Sequence, residues 1–138
     1  LYGANAAALD TRLAALDDEL QTRLAPHAEH PFVVFHDAYG YLQDRYDLEG
    51  ALAATLDPER KPGARRISEL REAIERLGIG CVFAEPQYPD ALLETLIEGT
   101  DARLFQLDPL GAAIAPGPEA YFSLMREMVE AMTSCMAD

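Results

Sequence analysis

The sequence predicts an α/β domain, a parallel sheet of about four strands with helices on both faces, preceded by an amphipathic helix. Three observations predict it. Short apolar runs rich in β-branched and aromatic residues, Phe32-Val33-Val34-Phe35 and Cys81-Val82-Phe83-Ala84, read as strands covered on both faces. Segments with apolar residues at three- and four-residue steps, the helical period, alternate with these runs along the chain. Strands alternating with helices of this length imply βαβ crossovers, and such crossovers make a parallel sheet.

Each element has its own signal. Across residues 5–24, Leu9, Leu13, Leu16, Leu20 and Leu24 recur among Asp, Glu, Arg and Gln, which predicts an amphipathic helix ended by Pro26. A loop carrying His27 and His30 leads to the first strand. Residues 38–46 read as a short helix, residues 51–56 as a weaker strand, and residues 67–77 as a helix after the turn-forming Lys61-Pro62-Gly63, closed by Gly78 and Gly80. After the strand at Cys81, residues 89–98 predict another helix and Arg103-Leu104-Phe105-Gln106-Leu107 the last strand. A Gly- and Pro-rich loop over residues 111–118 precedes a final helix over residues 121–136.

At 138 residues the chain has room for one hydrophobic core. Apolar residues make up 49% and charged residues 25%, a globular balance. The formal net charge of −13 opposes nucleic acid as a partner, because phosphate backbones are bound mainly by Lys and Arg. That acidity is compatible with a cationic ligand, although a self-repelling soluble surface is the plainer reading. No apolar run is long enough to span a bilayer, and the first residues lack the basic and apolar regions of a signal peptide. The abrupt start inside a helical pattern reads as that of a fragment or mature portion. Cys81 and Cys135 lack the close spacing of a zinc finger or a CxxC motif. They are compatible with a disulfide in an oxidising compartment or with two buried thiols in a reducing one.

Each apolar strand stops at a polar residue: His36, Asp57, Glu85 and Asp108. In an open parallel sheet these ends share one rim, where ligand crevices lie. An imidazole and carboxylates on that rim match the N and O ligands that zinc accepts. Solvated strand ends and helix caps are the plainer reading for any one of them. Asp57, before Pro58, reads as a turn residue, and Asp37 as a cap for the helix that follows. His27 and His30 read as exposed loop residues, with capture of a stray metal as the other reading. Lys61, Arg65 and Arg66 read as the solvated start of a helix or as a docking face. The sequence has no Gly-rich phosphate loop, no G-x-S-x-G elbow and no HExxH, so it is read as a binding protein and not an enzyme.

Four segments then carry a resemblance. Phe35-His36-Asp37-Ala38-Tyr39-Gly40-Tyr41, Pro62-Gly63-Ala64-Arg65-Arg66, Cys81-Val82-Phe83-Ala84-Glu85-Pro86-Gln87 and Leu107-Asp108-Pro109-Leu110-Gly111 together resemble, in order, the zinc-specific solute-binding proteins of cluster A-I ABC importers, the ZnuA type. The resemblance implies two α/β lobes joined by a long rigid helix, with the metal held between them. It makes residues 1–25 the end of that linking helix and residues 26–138 the carboxy-terminal metal-binding lobe. It makes His36 a zinc ligand, where manganese-binding relatives place a carboxylate, and Asp108 a second candidate ligand. Glu85 becomes a rim group outside the ligand set, and Cys81 and Cys135 a disulfide between the third strand and the terminal helix, which implies a periplasmic location.

The partners it implies are zinc, the membrane permease of the importer and an amino-terminal lobe that this chain lacks. Capture and delivery would replace turnover. With an incomplete ligand set the expected zinc affinity is on the order of micromolar or weaker, and two copies pairing their clefts are a further expectation. The alternatives are a manganese- or iron-binding member of the same cluster, or a receiver-like or flavodoxin-like signalling or interaction domain. The latter would need an acidic pocket or phosphate loop after the first strand, where this sequence has His-Asp-Ala-Tyr-Gly-Tyr.

Overall fold

In the computed structural model, residues 2–137 are described. The elements are α1 (Tyr2–Leu24), a 3-10 turn (Ala25–His27), β1 (Phe32–His36), α2 (Gly40–Tyr46), β2 (Ala51–Thr55), α3 (Ala64–Leu77), β3 (Cys81–Ala84), α4 (Ala91–Ile97), β4 (Arg103–Gln106) and α5 (Ala120–Met136). All strand pairs are parallel, in the order β2-β1-β3-β4. The chain therefore moves outward from β1 to β2, then crosses back past β1 to β3 and on to β4. Right-handed crossovers place helices on opposite faces when the direction of travel reverses. Accordingly α2 packs on one face while α3 and α4 pack on the other.

Strand alternation sorts the two layers. Phe32 and Val34 of β1 and Cys81 and Phe83 of β3 face Leu16, Leu20 and Met132 of α1 and α5. Val33, Phe35, Val82 and Ala84 face Leu70 and Ile74 of α3 and Leu93 and Leu96 of α4. Both central strands are thus buried on both sides, as their unbroken apolar runs require. Each fully buried Phe or Leu contributes about 1.5–3 kcal/mol relative to an exposed one.

The amphipathic first helix is only half used. Leu16, Leu20 and Leu24 are buried, but Leu9, on the same predicted stripe, is 46% exposed. The reason lies in α5, which runs beside α1 in constant register. Ion pairs Arg12–Glu119, Glu19–Arg126 and Arg23–Glu130 each link residues 107 apart. Because α5 begins at Ala120, it does not run alongside α1 before that first rung, and Leu9 has no α5 turn to pack on. Pro26 does not stop the chain turning at once, since it sits inside the 3-10 turn that ends α1.

Gly78 closes α3 in the left-handed conformation at φ 64°, which costs a glycine nothing. At Gly50, φ is 78° and an added Cβ would meet Pro31 Cβ at 3.1 Å, so the loop before β1 and the start of β2 depend on its missing side chain. The Cys81–Cys135 disulfide joins the first residue of β3 to the last turn of α5. No helix among the described residues is long and apolar enough to cross a membrane.

Candidate metal centre

The two central strands carry their ladder toward the carboxyl rim in a fixed register: Phe32 pairs with Cys81 and Val34 with Phe83. Two residues on, the same register brings His36 beside Glu85, both pointing to the α1/α2/α5 side by strand alternation. His36 Nδ1 lies 2.6 Å from Glu85 Oε1. An ionised carboxylate only accepts, so against it Nδ1 is the donor, and in the neutral ring that tautomer puts the lone pair on Nε2. Tyr39 donates its hydroxyl to the same Oε1 at 3.1 Å. Among the described residues Glu85 is the sole buried charged side chain, at 2% exposure, and these two donors are its partners. Burial, then the Glu85 charge and hydrogen bond, then the Asp108 charge, push the Tyr39 phenol far above its ordinary pKa, so it stays a donor. The His36 side chain remains 20% exposed. The result is an imidazole held on its inner nitrogen and open on its outer one, at the point between β1 and β3 where the strand order reverses.

Asp108 sits farther along the rim. The ladder's last rung is Leu107 N–H to Ala84 O at 2.8 Å, after which the chain turns. The Asp108 carboxylate then accepts from Gln87 Nε2 at 2.7 Å, Leu110 N–H at 3.0 Å and Ala112 N–H at 2.6 Å. Gln87 lies two residues past Glu85, so His36 and Asp108 are tied to one β3–α4 loop without touching each other through a hydrogen bond. Among the described residues no group of three or more His, Cys, Asp or Glu side chains is placed to hold a metal.

The remaining rim residues have local roles. Asp57 accepts from Glu59 N–H at 3.0 Å and is a turn residue. Asp37 does not cap α2: the helix begins at Gly40 behind Tyr39, with no side-chain cap bond. A tight turn, Ala38 N–H to His36 O at 2.9 Å, delays the helix and leaves Asp37 too far upstream to reach its first amides. Arg65 and Arg66 pair with Glu69, and Arg66 also donates to Ala53 O at 2.6 Å, while the Arg65 side chain stays almost fully exposed, as at a solvated start of a helix.

The family model described as "Zinc-uptake complex component A periplasmic" (ZnuA) matches residues 1–135. The chain belongs to the ZnuA family. Over 136 residues it is 41% identical to the high-affinity zinc uptake system protein ZnuA of Brucella suis biovar 1 (strain 1330), covering 99% of this chain and 41% of that protein. It is 40% identical over 137 residues to the ZnuA of Paracoccus denitrificans (strain Pd 1222), covering 99% of this chain and 42% of that protein. It superposes with a TM-score of 0.80, at 25% identity, on the Zn(II)-bound form of a variant of Streptococcus pneumoniae AdcAII, over 98% of this chain and 49% of that one. The chain thus spans about two fifths of the length of the curated ZnuA relatives.

Within this ZnuA-family fold, Tyr39 and Gln87 are the rim residues that sequence reasoning passed over as members of motifs. A tyrosine three residues after a strand-end histidine gives no signal by period or charge, and its role depends on the burial of Glu85. A groove of about 660 Å³ between α1, α2 and α5 is bounded by Tyr39 and Pro109 but not by His36, Glu85 or Asp108, so it lies beside the rim chemistry and not at it.

Asp108 makes a pH-dependent contribution to stability. Burial acts to raise its pKa, but the Gln87 amide and the N–H groups of Ala112, Leu110 and Gly111 outweigh it and hold the carboxyl below the ordinary aspartate value. A depressed carboxyl stabilises fully above its unfolded pKa of about 3.9 and loses that contribution as pH falls through the folded value. Asp108→Ala is expected to cost about 1 kcal/mol at pH 7. Urea midpoints of the two proteins should converge as the pH is lowered below about 4. A gap that widens in acid would contradict this account.

Proposed function

We propose that this chain binds zinc as cargo on its carboxyl rim through His36 Nε2, in the periplasm, as part of a binding protein that delivers the ion to the membrane permease of an ABC importer. The observation that carries the reading is the His36–Glu85 hydrogen bond at 2.6 Å in a chain of the ZnuA family. Metal-bound imidazoles characteristically donate their second nitrogen to a carboxylate or carbonyl, which fixes the tautomer and ring plane and raises ligand basicity. Asp108 is the second ligand. Its carboxylate already accepts from the Gln87 amide and from the N–H groups of Leu110, Gly111 and Ala112, so it takes the ion by sharing an oxygen with one of these donors. A neutral imidazole suits zinc better than manganese, which prefers an all-oxygen set. Binding and release, not catalysis, is the activity.

Residues 1–25 are the end of a helix linking two lobes and residues 26–138 the carboxy-terminal lobe. Further ligands come from an amino-terminal lobe, which fits a chain spanning 41% of its curated relative. For this chain alone, two ligands give an affinity on the order of micromolar, and a second copy docking rim to rim supplies the missing pair.

Zinc titration against a competing chelator tests the reading. His36→Ala should weaken the tightest zinc event at least about tenfold and abolish any zinc-dependent dimer seen by sedimentation, while His27→Ala/His30→Ala leaves that event in place. Unchanged affinity in His36→Ala would remove His36 from the ligand set.

A further inference from the structure

The sequence has three histidines, and the two that the rim does not use lie together at the other end of the sheet. His27 ends the 3-10 turn and His30 precedes Pro31, so both sit at the amino edge of β1. Their ring centroids are 5.6 Å apart at an interplanar angle of 61°. Two imidazoles bound to one tetrahedral ion at the usual metal–nitrogen distance have centroids about 5 Å apart, close to the separation of this pair.

The backbone holds that spacing. His30 N–H donates to His27 O at 3.0 Å and Glu49 N–H to Ala28 O at 2.8 Å, which pins the loop to the start of β2. Pro31 restricts His30 to extended backbone. His27 Nδ1 is buried with no hydrogen-bond partner, an orphan of a kind that native structures rarely leave without a reason.

We infer that His27 and His30 form a second site, a two-imidazole chelate for a borderline transition-metal ion such as Zn(II) or Ni(II), on the rim opposite His36. Imidazole nitrogens select that class of ion over Mg(II) or Ca(II). The five residues of β1 separate the two sites by roughly 15 Å, so each binds its own ion. With water completing its coordination, the pair binds more weakly than a full protein site.

The test uses the full chain carrying His36→Ala, in which His27 and His30 are the remaining histidines, so its result is independent of whether the carboxyl rim binds zinc. Titration with Ni(II), followed by calorimetry, should show one ion per chain. His30→Ala in that background should weaken binding at least about tenfold, and adding His27→Ala should weaken it no further, because a chelate is lost with either arm. Since His30 is exposed, its replacement leaves the fold intact, which a thermal melt by circular dichroism checks. Two independent losses of similar size, or no Ni(II) binding below about 1 mM in the His36→Ala chain, would overturn the inference.

Discussion

Replacing Cys81 and Cys135 together by alanine is expected to lower the unfolding free energy by about 4 kcal/mol, the loop-closure entropy of a bond across residues 54 apart. For a chain of this size that is a fall of roughly 15 °C in Tm. The effect comes mostly from the unfolded chain, which regains freedom when the bond is absent. The bond sits at the amino end of β3, and the His36–Glu85 contact lies past the strand's other end. Zinc affinity at temperatures where the chain stays folded should therefore change less than about threefold. Urea unfolding with and without reductant measures the first part and chelator competition the second. A stability loss under about 1 kcal/mol would mean that the unfolded chain keeps the two ends close.

Glu85→Leu is the substitution with the largest expected effect at the rim. It removes the acceptor of both His36 Nδ1–H and Tyr39 O–H and leaves the buried donor of Tyr39 without a partner. Such a loss costs about 1–3 kcal/mol per stranded donor, and freeing the imidazole from its tautomer lock should weaken zinc binding about 10- to 100-fold. Glu85→Gln separates charge from geometry. Its amide oxygen still accepts from Nδ1–H, so it should retain most of the stability and lose less affinity than Glu85→Leu. Equal affinities for the wild type and Glu85→Leu would show that His36 needs no support from Glu85, and the metal reading of the rim would lose its main observation.

Much of the candidate site is legible in the residues themselves. His36, Glu85 and Asp108 each follow an apolar run, and a parallel sheet puts all such ends on one rim. What the spacing does not reveal is who touches whom. His36 and Glu85 are 49 residues apart, and they meet only because β1 and β3 pair with Phe32 opposite Cys81. A slip of one residue would turn His36 toward Ala84 or Pro86 and send one of the two side chains to the opposite face. Asp37 shows the reverse case, where a residue type suited to capping stands in the right neighbourhood but the turn at Ala38 moves the helix start beyond its reach.

The alternation of continuous apolar runs with helical periods by itself determined the α/β class, the parallel sheet and the helices on both faces, because those patterns are set by how many faces of each element must leave water. The strand-end polar residues, the acidic surface and the motifs that mark the ZnuA family were equally present in the chain read as text. Only the tertiary structure decided that Glu85 is buried against His36 and Tyr39, that Asp108 is shared among several donors, that His27 and His30 lie edge to face, and that Leu9 of the α1 stripe stays in solvent. These are matters of register, of where α5 begins and of which side chains are sealed from water. Each depends on contacts between residues far apart in sequence, which local periodicity does not encode.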